Sequence, residues 1–85
     1  MVKSAPLILH IAVQTDGYHD FLLSIGDNIR AARKAKGYSQ EKLAELSGLD
    51  RVSVGYIEQG RRSPKLLTLY TFASVLDVHV KDFFA

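Results

Sequence analysis

The spacing of apolar positions along the chain changes near Leu23. Before it, Leu7 to Val13 is an apolar run interrupted only by His10, bounded by Pro6 on one side and the turn-prone Gln14-Thr15-Asp16-Gly17 on the other. Its short length and β-branched content favour a strand, and Pro6 suits a strand's first position or an edge. No second convincing strand exists in the sequence. Such a strand would pair with a second copy of itself or add to a partner's edge; the alternative is an extended arm packed loosely on the domain. Residues 1–23 are therefore read as an N-terminal arm and 24–85 as the domain proper.

From Ile25 onward the period is helical. Asp27 to Lys36 puts Ile29, Ala32 and Arg33 on one face, and Gly37 ends that helix. Ser39 caps a second helix whose apolar side is Leu43, Ala44 and Leu46, with Gly48 closing it after about two turns. Asp50, a strong N-cap residue, opens a third helix with Val54 and Ile57 inward, terminated by Gly60. Pro64 blocks continuation, and a fourth helix from about Leu66 buries Leu66, Leu69, Phe72, Ala73 and Leu76. A short fifth helix spans Val80 to Phe84. The expectation is an all-α domain with an N-terminal extended arm or short strand.

Composition narrows the chemistry. Eighty-five residues make one small domain whose own core is marginal, which favours a partner subunit. With no cysteine, neither disulfides nor thiolate metal sites hold the fold. The net charge is only +2, but the stretch from Asn28 to Lys65 carries nine basic and four acidic residues. The positive charge is therefore concentrated in the middle of the chain. The apolar run at Leu7 is far too short to cross a bilayer, and no small-residue cleavage pattern follows it, so a cytoplasmic protein is expected.

Two short helices joined through a glycine cannot bury much against each other, yet their crossing leaves the second one protruding, which is the geometry of a helix-turn-helix. Ala44 supplies the close contact, Gly48 the turn, and Leu43, Leu49, Val54 and Ile57 the apolar supports, all within SQEKLAELSGLDRVSVGYIEQG. With IGDNIRAARKAKGYSQEKLAELSGL, YIEQGRRSP and LLTLYTFASVLDV in order, the span from Ile25 to Phe83 resembles the lambda-repressor and Cro type of helix-turn-helix domain, the Xre-like group of regulators. The LDR and IEQGRR stretches are also similar to controller proteins of restriction-modification systems.

The resemblance implies a five-helix bundle whose third helix, Arg51 to Gln59, enters the DNA major groove, in homodimers that read two half-sites of a two-fold symmetric operator. Base edges would then be reached by Arg51, Val52, Gly55 and Tyr56, with Arg51 able to bridge O6 and N7 of guanine. Gln40 resembles the group's phosphate-binding glutamine, and Ser53, Arg61 and Arg62 are further phosphate candidates. An arginine and a glutamate at the places of Arg33 and Glu58 form a partly buried ion pair in the group, which assigns these two to architecture. Dimerisation is assigned to Leu76, Val78, Val80 and Phe84 and, through the arm, to Ile8 and Ile11. The chain departs from the group at Lys65, where a serine cap is common, at Asp77, where glycine is common, and at Gly55 inside the third helix.

Enzymatic chemistry finds little support. There is no cysteine nucleophile, no G-x-S-x-G elbow and no glycine-rich phosphate loop. Asp16, His19 and Asp20, three residues in a turn-like segment, are weak evidence for a metal, and no cofactor is expected. The expectation is a sequence-specific transcriptional regulator, a repressor or controller, whose partner is double-stranded DNA. The rival is an antitoxin or other interaction module that neutralises a partner protein.

Overall fold

The computed structural model describes residues 4–85, with side chains from Gly17 onward. Four α-helices follow one another, α1 (Ser4–Ala35), α2 (Gln40–Ser47), α3 (Arg51–Glu58) and α4 (Leu66–Leu76), and a 3₁₀ helix over Val80–Phe84 takes the place of a fifth α-helix. The all-α architecture agrees with the sequence reading. No helix of the described residues is long and apolar enough to cross a membrane.

The N-terminal segment departs from the expected strand or extended arm: Leu7 to Val13 belongs to α1, which continues without a break through residues 23 and 24. A strand must find its hydrogen-bond partners on another strand, and the described residues offer none; a helix satisfies its backbone internally. Pro6 falls in the first turn of α1, where its missing N–H removes no bond. The turn preference of Gln14 to Gly17 is overridden by the helix running through it.

Side-chain caps begin α2 and α3. Ser39 Oγ accepts the Lys42 N–H at 2.9 Å, and an Asp50 carboxylate oxygen accepts the Ser53 N–H at 2.7 Å. Each satisfies one of the donors that a helix start leaves free. The turn between them closes when the Leu49 N–H reaches the Ala44 carbonyl at 2.9 Å, with Gly48 at φ 74°, a left-handed conformation that glycine adopts without a Cβ penalty. The end of α4 has the same bonding, Val78 N–H to Ala73 carbonyl at 3.0 Å, but the left-handed residue is Asp77 at φ 58°. No side chain caps the start of α4 at Lys65. Two of the three departures noted in the sequence, Lys65 and Asp77, therefore fall where they weaken this helix.

The core gathers Ile25 and Ile29 of α1, Leu43 and Ala44 of α2, Val54 and Ile57 of α3, Leu69, Phe72, Ala73 and Leu76 of α4, and Phe83. Asn28 ties the 3₁₀ helix to α1 by donating from Nδ2 to the Phe83 carbonyl at 2.9 Å and the Ala85 carbonyl at 3.2 Å. Leu66 is not part of the core: it is 80% exposed. Its spacing to Leu69, Ala73 and Leu76 points inward, but the first turn of α4 extends past the packed cluster. Leu46, expected on the apolar side of α2, is likewise exposed.

Candidate nucleic-acid interface

The two short helices α2 and α3 pack through Leu43, Ala44, Val54 and Ile57, all buried. This contact consumes one side of α3 and leaves the other open. Arg51 and Val52 are on the open side, Val52 at 53% exposure. Tyr56 is half-buried, one turn further along the helix. Its ring carries the guanidinium of Arg61 at 4.6 Å from the ring centroid and that of Arg62 at 5.3 Å. Such cation–aromatic contacts hold two flexible side chains near one place on the surface.

Arg62 is further anchored by donating from Nη1 to Ser53 Oγ at 2.6 Å, and that hydroxyl donates in turn to Asp50 at 3.2 Å. The Asp50 carboxyl is held below its ordinary value, first by the Ser53 N–H, then by the Ser53 hydroxyl, which together outweigh the opposing effect of burial; the Arg62 charge adds less than either. The N-cap of α3 and the basic loop after it are thus one hydrogen-bonded unit.

A second network runs inward from Arg51. Arg51 Nη1 donates to Gln40 Oε1 at 3.2 Å, and Gln40 Nε2 donates to Glu58 Oε1 at 3.0 Å. Glu58, with a side chain 0% exposed, is gripped by Arg33, whose Nε lies 2.6 Å from Oε2 and whose Nη2 donates to Oε1 at 3.0 Å. Arg30 adds an ion-pair contact at 3.5 Å and a bond to the Glu58 carbonyl at 3.3 Å. Burial alone pushes the Glu58 carboxyl up, but the hydrogen bonds from Arg33 and Gln40 and the two arginine charges outweigh it, so the group stays below its ordinary value. The carboxylate is ionised and fully partnered, the condition under which a buried charge is tolerable.

Not every assigned residue stands open. Ser53 is buried and engaged by Asp50 and Arg62, which ties it to the loop. Gly55 is also buried; a Cβ there would stand 3.6 Å from Gln40 Oε1, which puts it beside the Gln40 side chain. Gln40 spends its amide between Arg51 and Glu58. Of the residues assigned to a dimer contact, Leu76 is in the core, Val78 and Val80 pack against that core, and Phe84 is 46% exposed. Ile8 and Ile11 lie outside the described side chains, as does Asp16.

Glycine 26 had no expected role. A Cβ at this position would approach the Ile57 carbonyl oxygen to 2.6 Å, with Glu58 as close, so α1 crosses the end of α3 in direct backbone contact. Glycine inside a helix is unfavourable, and a close crossing is one of the few reasons for it. That was the available sign in the sequence, although the spacing could not say which element crosses there.

Residues 29–83 match the helix-turn-helix family HTH_3. The control protein C.SmaI of Serratia marcescens is 39% identical over 56 residues, covering 66% of this chain and 67% of that protein. The HTH-type transcriptional regulator y4dJ of Sinorhizobium fredii is 38% identical over 58 residues, covering 67% of this chain and 75% of its own. Among solved structures, the restriction-modification controller protein C.AhdI of Aeromonas hydrophila superposes with a TM-score of 0.72 at 44% identity, covering 74% of this chain and 96% of that one. With α3 open at Arg51 and Val52, two arginines beside it and these relatives, the chain belongs to the HTH_3 family of lambda-repressor-type, DNA-binding transcriptional regulators.

Proposed function

We propose that the protein binds a two-fold symmetric operator as a homodimer, with α3 in the major groove of each half-site. The observation that carries this reading is the split character of α3: Val54, Ile57 and Glu58 are buried while Arg51 and Val52 stand open, flanked by the two arginines on Tyr56. Arg51, oriented by Gln40, reads guanine through its planar fork, and Val52 meets a thymine methyl. Arg61 and Arg62 bind backbone phosphate and set the register. The likeness to two restriction-modification controllers supports a regulator whose own concentration sets its occupancy.

Pairing of two copies is supported by apolar surface that one copy leaves open. Leu66, Leu67 and Tyr70 project from α4, and Phe84 joins Phe21 and Tyr18 in an exposed aromatic strip with ring centroids 6.1 and 6.3 Å apart. A regulator acting on duplex DNA in this way works in the cytoplasm.

Selection of bound duplexes from a random pool tests the reading. The expected product is a two-fold symmetric site with a guanine in each half. With about four to six phosphate contacts per dimer, binding weakens about a hundredfold or more between 50 and 200 mM salt. No enrichment, or a salt-independent affinity, contradicts the proposal.

A further inference from the structure

The stretch from Gly17 to Gly26 precedes the family match at 29–83 and supplies none of the proposed DNA contacts, although Tyr18 and Phe21 belong to the exposed aromatic strip. Nevertheless it touches one short segment three times. The Tyr18 hydroxyl donates to Ser63 Oγ at 2.7 Å, across 45 positions of sequence. The Leu23 side chain lies against Gly60 so closely that a Cβ there would stand 2.9 Å from Leu23 Cδ2 and 3.0 Å from its backbone nitrogen. Gly26 meets the carbonyls of Ile57 and Glu58.

These contacts bracket the basic loop. Arg61 and Arg62 are the two residues between Gly60 and Ser63, and on their other side they are held by the Tyr56 ring and by Ser53. The Arg61 N–H completes the end of α3 by bonding to the Tyr56 carbonyl at 2.8 Å. The loop is therefore fixed at its start by Leu23, at its far end by Tyr18, and from across by α3 itself.

We propose that Tyr18, Leu23 and Gly26 form a brace on α1 that holds the Arg61–Arg62 loop in the geometry needed for phosphate contact, with Tyr18 a positioning residue for DNA binding. The inference rests on the interface reading above, because the loop it positions is the proposed phosphate-binding one. Arginines already held in place lose less freedom on binding, so the brace acts on affinity without touching the duplex. Since phosphates carry no sequence information, its effect is equal for all sequences.

Tyr18→Phe tests it, because the ring remains beside Phe21 and only the donor is lost. The measurements are affinity for a random-sequence duplex at low salt and hydrogen exchange of the Arg61, Arg62 and Ser63 amides in the free protein. The expected result is an affinity loss of about threefold, from the added cost of ordering a loosened loop, with faster exchange in those amides and a Tm lowered by only a few degrees. Ser63→Ala gives the same loss, and Tyr18→Phe adds nothing in a chain already carrying Arg61→Ala and Arg62→Ala. Unchanged affinity and exchange overturn the brace, as does an equal loss in the chain lacking both arginines. A wild-type protein that binds no duplex, yet whose loop amides exchange faster in Tyr18→Phe, contradicts the interface reading and overturns the role in DNA binding, while the hold of Tyr18 on the loop remains.

Discussion

The segment from Ser39 to Arg62 and the helix α4 use the same backbone bonding to end their helices, but they are held in place differently. In the first, side-chain caps start both helices, glycine occupies the left-handed positions, and the polar groups beside α3 are joined through Asp50, Ser53 and Arg62 on one side and Arg51, Gln40 and Glu58 on the other. In α4 the start has no side-chain cap, an aspartate takes the left-handed position, and Leu69, Phe72, Ala73 and Leu76 supply the anchoring by burial. Hydrophobic burial fixes a helix in the bundle without specifying where any one polar group points. Hydrogen bonds are directional, and the surface proposed to meet DNA is the one built from them.

Breaking the polar side at its centre has the largest effect. Glu58→Ala strands the buried Arg33 guanidinium, and thermal or urea unfolding is expected to show a loss of about 3–5 kcal/mol, a large part of the stability of a domain this size. Removing a cap costs less: Ser39→Ala is expected to lower stability by about 1 kcal/mol in the same assay. The opposite sign is expected in α4, where Asp77→Gly relieves the left-handed conformation and raises the unfolding midpoint by the equivalent of about 0.5–1 kcal/mol. A gain there alongside a loss at Ser39 would sharpen the contrast; equal losses would remove it.

Acid provides a subtler probe. Glu58 is held lower in the folded protein than in the unfolded chain, so its ion pair contributes fully above the ordinary glutamate value of 4.5 and is lost as pH falls through the lower folded value. Asp50 shifts in the same direction, chiefly through the Ser53 N–H. Stability measured as a function of pH is expected to fall through this acid range, and Glu58→Gln is expected to flatten the decline while lowering the plateau above it.

Much of this arrangement is legible in the residue types themselves. Ser39, Gly48, Asp50 and Gly60 mark helix ends by residue type alone, and Leu43, Val54, Ile57 and Phe72 follow from the 3.6-residue period. What escaped depends on a second element. The short length and β-branched content of Leu7 to Val13 favour a strand, but the described residues offer no strand to pair with it, and the run joins α1. Leu66 has the correct spacing for burial but nothing lies over it. Ser53 and Gly55 are on the third helix, as expected, yet face Arg62 and Gln40, partners from outside that helix. Gly26 matters only because α3 passes against it.

The central claim is that α3 presents Arg51 to a base while the loop after it grips the backbone. It is tested most directly by comparing wild type, Arg51→Ala and Arg62→Ala on a panel of duplexes that vary one operator position at a time, each at several salt concentrations. Arg51→Ala is expected to abolish a discrimination of about 1–3 kcal/mol at one position per half-site, whereas Arg62→Ala weakens all duplexes alike and flattens the salt slope by about two units per dimer. A uniform loss from Arg51→Ala with every base preference intact would contradict the account.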